Sequence, residues 1–541
     1  MAKTIAFAPK LRIRRLILAV PVSILIWICT SLVVIKTSRH QLQGTITSPG
    51  SERTFLVSQE STDKGNHEER KFAILVPANN PGHDLCKLVT SALALGYPSP
   101  VLINWGKDFR DGGGGAWSAY LAKITGALDY LDKVTRPDTN RGDKLENDDL
   151  VLIVDAYDVW FQLPPQTLIQ RYHQSCQDGN TRLTEKWPFP SRIPMKETII
   201  AAAQKRCFPT MESGSNLYCH DVPESNLRPD LYGGATDTDS AKQYYHNVRP
   251  RFLNSGSFIG PVGDMRQYLR RVKQRMERVI ADDLAFEGDQ GIFGEVFGEQ
   301  ELWRKWRREQ EEISTNTMST PASKRGSALW QRDFEFHVGL DYSQQLFLPT
   351  VYAEYDGDFV SVHNRSFIQS RSSKLGIDPV RLHGVPSDIE LTTSTVTEVL
   401  PRQVAKEFHW EDVSLYADFY TAAIPALLHH NAWKGGVKNR RTWWWDRMWY
   451  FPHLRHILDQ RRTKGNSGPV ARIHEQGRKV SYYPSRSSQE NYLPKVFDTN
   501  RRLEGFRRAP LDEVCKHGDK EGRSPDTAWH EEVFRDGRGP V

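Results

Sequence analysis

The chain has 541 residues, with 72 Lys and Arg against 66 Asp and Glu, for a formal charge of +6. That length allows two or three domains of about 150 residues, or one larger α/β domain with a large core. The charge is small for the length, and no basic run interleaved with aromatics lines a predicted face, so nucleic acid is not expected as a partner.

The first predicted element is LILAVPVSILIWICTSLVVI, Leu16 to Ile35, twenty residues without a charge. At about 1.5 Å per residue it spans roughly the 30 Å of bilayer hydrocarbon. It reads as a transmembrane anchor (16–35) rather than a cleaved signal peptide, whose apolar run is shorter and ends in a small-x-small site that is missing before Lys36. Lys3, Lys10, Arg12, Arg14 and Arg15 precede it, so residues 1–15 are expected in the cytoplasm. The rest is then expected in the lumen of the Golgi or endoplasmic reticulum, as in a single-pass type II membrane protein, where disulfides form. Of Cys86, Cys176, Cys207, Cys219 and Cys515, the pair Cys207 with Cys219 is expected to close a short loop.

Residues 36–70 are polar with almost no apolar periodicity and read as a stem. The folded domain is expected over 71–460. KFAILVPAN is a short continuous apolar run of the kind a buried parallel strand produces. A helix through CKLVTSALALGY, a strand in SPVLINW, the glycine-rich turn DGGGG from Asp111, a helix over SAYLAKITGALDYLDKV and the strand of VLIVDAYDVWF follow. Strand, helix, strand, helix, strand is a doubly wound beginning, so the fold class is α/β. Further strands are expected in ETIIAAA, RFLNSGSFIG and FHVGLDYSQQLFLPT, with a basic helix from about Met265 to Ile280 and an insertion at about 299–327. A less ordered stretch to about Leu400 leads to a helix at RTWWWDRMWYF, whose tryptophans read as packing rather than a sugar platform. Residues 461–541 are polar and Arg-rich and read as a basic, poorly ordered tail.

Asp155 and Asp158 end the strand Val151 to Val154. Ligand sites of open α/β sheets lie beyond the carboxyl ends of strands, and two carboxylates three residues apart can converge on a hard cation that would clamp a diphosphate. On spacing alone, Asp158 as a turn cap and Asp155 as an acceptor for backbone donors explains the pair equally well. Lys123 could reach a phosphate, but a solvated helical face is the expected reading. His363 also follows an apolar strand and reads as an ordinary strand-end residue. Asn364 opens the sequon NRS.

VLIVDAYDVWF, NWGKDFRDGGGG, IIAAAQKRCFP, FLNSGSFIG, GDQGIFGEVF, LDYSQQLF and IPALLHHNAWK occur in that order. Together they resemble a GT-A glycosyltransferase, most closely the glycosyltransferase domain of procollagen lysyl hydroxylases and related galactosyltransferases. The resemblance implies a GT-A-like, Rossmann-related mixed sheet flanked by helices, and Mn²⁺-dependent (or Mg²⁺-dependent) transfer of a hexose from a UDP-sugar to a glycan or glycoprotein acceptor. It implies that Asp155, Asp158 and His429 hold the metal, that Val76 and Tyr157 contact the nucleotide, and that Lys434 neutralises the departing diphosphate. Asn254 and Asp289 would line the sugar and acceptor side, with Asp289 a candidate base. His430 and Ala432 stand where that family carries glycines, which leaves the ligand choice between His429 and His430 open. Asp289 lacks the acids that precede it in the family. The alternatives are a catalytically inactive carbohydrate-binding or scaffold protein, or a transferase using GDP-mannose.

Overall fold

The strand β1 (His67–Pro77) organises the sheet, because its apolar stretch is buried on both faces. Phe72, Ile74 and Val76 face one hydrophobic cluster with helix α1 (His83–Ala94), while Ala73 and Leu75 face a second cluster with α2 (Ser118–Val134). That two-period split, with helices on both sides, is what a doubly wound sheet demands. The structure is a computed structural model and describes residues 67–315, 334–485, 492–497, 506–516 and 528–540, except 108, 110–117, 188, 285, 433–437, 466–467 and 476. The expected anchor, the glycine-rich turn and Lys434 lie outside the described residues. No helix among the described residues is long and apolar enough to cross a membrane.

The remaining strands are β2 (Val101–Ile103), β3 (Leu150–Val154), β4 (Val159–Phe161), β5 (Ile199–Gln204), β6 (Phe252–Pro261), β7 (Val338–Asp341), β8 (Phe347–Pro349), β9 (Gly357–Val360), β10 (Leu415–Asp418), β11 (Leu427–His429), β12 (Ala471–Glu475), β13 (Arg478–Pro484), β14 (Lys495–Phe497) and β15 (Phe506–Arg508). The molecule is a mixed α/β protein whose large, mostly parallel sheet runs β15-β14-β2-β1-β3-β6-β5-β7, with β13 and β12 added beside the first half of β1. β2 and β3 flank β1 on opposite sides, both parallel to it, so the chain reverses its winding between β1 and β3. β6 runs antiparallel to both β3 and β5. A second sheet of three strands, β4-β11-β8, places His429 opposite Val159 and beside Pro349.

Three sequence expectations are corrected. Residues 461–541 are not simply a tail: β12 to β15 complete the main sheet, and Cys515 is disulfide-bonded to Cys86 of α1. Alternation such as Ala471 and Ile473 buried with Arg472 exposed lets a polar segment pair as a strand. The expected insertion begins as the continuation of one helix, Gly288–Thr315. The stretch before Leu400 contains three short helices, Arg365–Lys374, Ser387–Glu390 and Thr393–Thr397, and a fourth, Arg402–Lys406, follows it. The pair Cys207 with Cys219 is present, and Cys176 is in no disulfide.

Candidate functional site

β3 is apolar to its last residue, and the chain then turns through Asp155 to Asp158 into β4. The Asp155 amide donates to the Gly256 carbonyl at 2.9 Å, which ties the turn to β6. There β6 bulges: Ala201 pairs with Phe258 but Ala202 with Asn254, leaving Ser255, Gly256 and Ser257 as extra residues. Bulges beside a sheet rim re-aim backbone and side chains. The Asn254 amide fixes this one, accepting from the Gly256 N–H at 3.0 Å and donating to Gln204 at 2.8 Å and Gln290 at 3.2 Å.

The bulge makes room for an imidazole. A Cβ at Gly256 would lie 2.1 Å from His429 Cε1 and 2.4 Å from Nδ1, so only glycine lets the ring in. His429 Nε2 lies 3.3 Å from an Asp158 oxygen and 3.5 Å from an Asp155 oxygen. Among the described residues these three form the one group that could hold a metal ion, their ligand atoms all within 4.8 Å of one another. The neighbouring His430 turns the other way, 4.1 Å between centroids from the Trp160 ring, and burial pushes its imidazole down to about 3. The geometry therefore separates the two histidines: His429 faces the carboxylates and His430 is aromatic packing.

Lys123 corrects the expected solvated face. It is 5% exposed, and its ammonium bridges Asp155 at 2.8 Å, Asp289 at 2.5 Å and the Ser255 carbonyl at 2.9 Å. Burial works against that charge, yet Asp155 and Asp289 overcome it and raise the ammonium above its ordinary range. Burial raises the Asp155 carboxyl, against the pull of Lys123 and His429. Burial acts likewise on Asp158, but His429, Lys438 and Arg441 outweigh it and hold that carboxyl below the ordinary range. Lys438 lies 3.3 Å from Asp158.

A cavity of about 290 Å³ opens at the carboxyl ends of β1 and β3, where the winding reverses, lined by Pro77, Asn79, Lys123, Tyr157, Lys438 and the three aspartates among others. That is where ligands enter open α/β sheets. Of the expected site residues, Asp155, Asp158, Asp289 and Tyr157 line it and His429 abuts it. The Tyr157 hydroxyl accepts from the Asn80 N–H at 3.1 Å. Val76 does not reach the cavity: it is fully buried in the core, and the next strand residue, Pro77, lines the rim. Asn254 is buried beneath the bulge rather than lining the space. His363 is exposed and ion-paired with Glu411 at 2.7 Å and Asp412 at 2.5 Å, and the Asn364 side-chain oxygen Oδ1 caps the next helix by accepting from the Phe367 N–H. Lys438 and Gly256 carry no local sequence signal for the places they take. No family model matches the chain, and no curated protein sequence matches it at a significant level.

Proposed function

We propose that this chain is a GT-A-like glycosyltransferase that moves a hexose from a UDP-sugar to a glycan or glycoprotein acceptor, with Mn²⁺ or Mg²⁺, in the lumen of the Golgi or endoplasmic reticulum. The observation that carries the reading is the convergence of Asp155, Asp158 and His429 on one point beside a cavity at the winding reversal of the sheet. Two carboxylates and one imidazole fit a divalent ion of the manganese kind, and His429 Nε2 is aimed at the same point as the carboxylates. When bound, such an ion supplies a Lewis acid toward a departing diphosphate. The antiparallel β6 beside β3, with helices on both sheet faces, agrees with the GT-A-like arrangement. The two disulfides favour an oxidising compartment.

The chain's own residues divide the work. Lys123 holds Asp155 and Asp289 in fixed relation, so the carboxylates are oriented before a substrate arrives. Lys438, partly exposed at the cavity mouth, offers a positive charge to the departing phosphates, in place of the task expected of Lys434. Tyr157 presents its ring to the cavity and is fixed by Asn80, as a stacking surface for a base. Asp289, on the far side of Lys123 from Asp155, is placed to accept a hydroxyl of the donor sugar or acceptor. Asn254 positions the bulge and touches no substrate. The test is hydrolysis of a panel of UDP- and GDP-sugars by the purified protein with Mn²⁺. At least one UDP-hexose is expected to be cleaved, with loss of cleavage in EDTA and in Asp158→Asn. Cleavage of GDP-mannose alone would reassign the donor. No cleavage together with no donor-dependent thermal shift contradicts the proposal.

A further inference from the structure

We infer that the acceptor seat is an aromatic shelf outside the donor cavity, formed by Arg206, Phe208, Tyr245, Tyr352, Tyr355 and Arg440, and that it holds the ring of a saccharide. This rests on the transferase reading and adds the chemical class of the acceptor. The Arg206 guanidinium lies 4.8 Å from the Tyr245 ring, 5.6 Å from Phe208 and 5.9 Å from Tyr352, and it donates to the Tyr352 hydroxyl at 3.1 Å. The Tyr245 and Tyr352 rings are 5.3 Å apart and tilted by 56°. Arg440 sits 5.8 Å from the Tyr355 ring, and Tyr355 is 59% exposed. Tyr355 faces water while Phe208, Tyr245 and Tyr352 are half-buried, so these rings, beside two cations, are not spent on filling a core.

The backbone gives an independent sign. Tyr245 and Tyr352 both have φ of 62°, in the left-handed region that aromatic residues avoid. Tyr245 follows a helix at a position where Gly or Asn is usual. Two facing tyrosines kept in that conformation point to a role for their rings rather than for the turns.

Three chain connections join the shelf to the site. β8 pairs with β11 beside His429, and Tyr352 follows three residues after the end of β8, a reach of about 11 Å at most. Lys438, which pairs with Asp158, is two residues from Arg440, whose guanidinium donates to the Glu354 carbonyl at 2.6 Å beside Tyr355. Gln290, next to Asp289, donates to the Phe208 carbonyl at 2.9 Å. The shelf thus hangs from the elements that carry His429, Asp158 and Asp289. A pyranose has an apolar C–H face for the tyrosine rings and a rim of hydroxyls for the guanidinium N–H groups and phenol oxygens. A cationic peptide would meet two guanidiniums and be repelled.

Saturation-transfer NMR on the full chain in EDTA tests this, with gluco-, galacto- and manno-disaccharides and a Ser/Thr-rich peptide as probes. Saturation of at least one disaccharide is expected, weakened about tenfold in Tyr352→Gly and in the exposed Tyr355→Ser. In Tyr352→Gly the relief of the left-handed φ offsets part of the lost ring packing, and circular dichroism checks that the fold is kept. Trp443→Ala, at the other exposed aromatic residue considered as a platform, is expected to bind as before. Absence of disaccharide binding, saturation of the peptide alone, equal binding in both tyrosine variants, or loss through Trp443→Ala overturns the inference. Donor hydrolysis by the unaltered protein is measured in parallel: hydrolysis without disaccharide binding sinks the shelf alone, and disaccharide binding without hydrolysis sinks the transferase reading and, with it, the shelf's role as an acceptor seat.

Discussion

Arg304 and the pair Asp155 with Asp158 are two centres of buried charge, and they differ in where their polar atoms point. Arg304, 1% exposed, donates to both oxygens of Glu335 at 2.8 and 2.5 Å, to Glu301 at 2.9 Å and to the Lys196 carbonyl at 2.9 Å. Glu197 closes the group, with Gly179 and Gly339 packed so tightly that a Cβ at either would lie 2.0 or 2.2 Å from its oxygen. The cations face the carboxylates here, and the tight packing about Glu197 leaves no room beside it for a ligand. At the sheet rim, three carboxylates and an imidazole are only partly matched by Lys123 and Lys438, and the group faces an open cavity. A buried ion cluster that closes on itself is architecture, and one that leaves lone pairs facing a space is a candidate site.

The largest expected effect separates the two by activity. Asp155→Asn should lower Mn²⁺-dependent donor hydrolysis by at least about 10³-fold, roughly 4 kcal/mol, while the thermal midpoint is kept. A matching loss of stability would place Asp155 with the architectural group. Arg304→Leu should do the reverse, removing about 3–5 kcal/mol of stability in denaturant titrations because three carboxylates lose their buried cation. Loss of less than about 1 kcal/mol would erase the contrast.

A smaller effect is set by pH. Burial, against Arg304 and Arg182, pushes the Glu197 carboxyl up from 4.5 to about 7. The folded state then holds its proton more firmly than the unfolded state, so this contribution is whole below about pH 4.5 and is lost as pH rises to about 7. Glu197→Gln should flatten that fall, worth about 2–3 kcal/mol, in urea titrations across the window. An unchanged slope would mean the cluster is less dry than its packing implies. The smallest effect is that of Gly256→Ala, which should cost about 1–3 kcal/mol by crowding His429. It should also weaken Mn²⁺ binding, and a variant with full Mn²⁺ affinity would show that the imbalance at the rim does not depend on where that ring sits.

The first half of the sheet was legible because β1, β2 and β3 are apolar on both faces and separated by helices of the right period. The place of the two acids at the end of β3 was legible for the same reason, but their spacing alone fits a capped turn equally well, and only the approach of His429 from β11 sets them apart from one. Lys123 was not, since one lysine on an amphipathic helix looks the same whether it meets water or two aspartates. Val76 turns into the core while the next residue, Pro77, lines the cavity, because successive side chains of a strand face opposite ways and the apolar run of β1 does not say which of them ends at the rim. The C-terminal strands were missed because their partners are remote: Lys495 to Phe497 of β14 pair with β2, and the helix of Cys515 is stapled to α1 across a separation of 429 residues. Register between such distant segments leaves little local trace.

The most direct measurement is electron paramagnetic resonance of Mn²⁺ titrated into the purified protein with UDP present, comparing His429→Ala with His430→Phe. One bound Mn²⁺ per chain is expected, lost in His429→Ala and retained in His430→Phe, since only the first ring faces Asp155 and Asp158. Retention in His429→Ala, or equal loss in both variants, would contradict the assignment of this rim as a metal-dependent donor site.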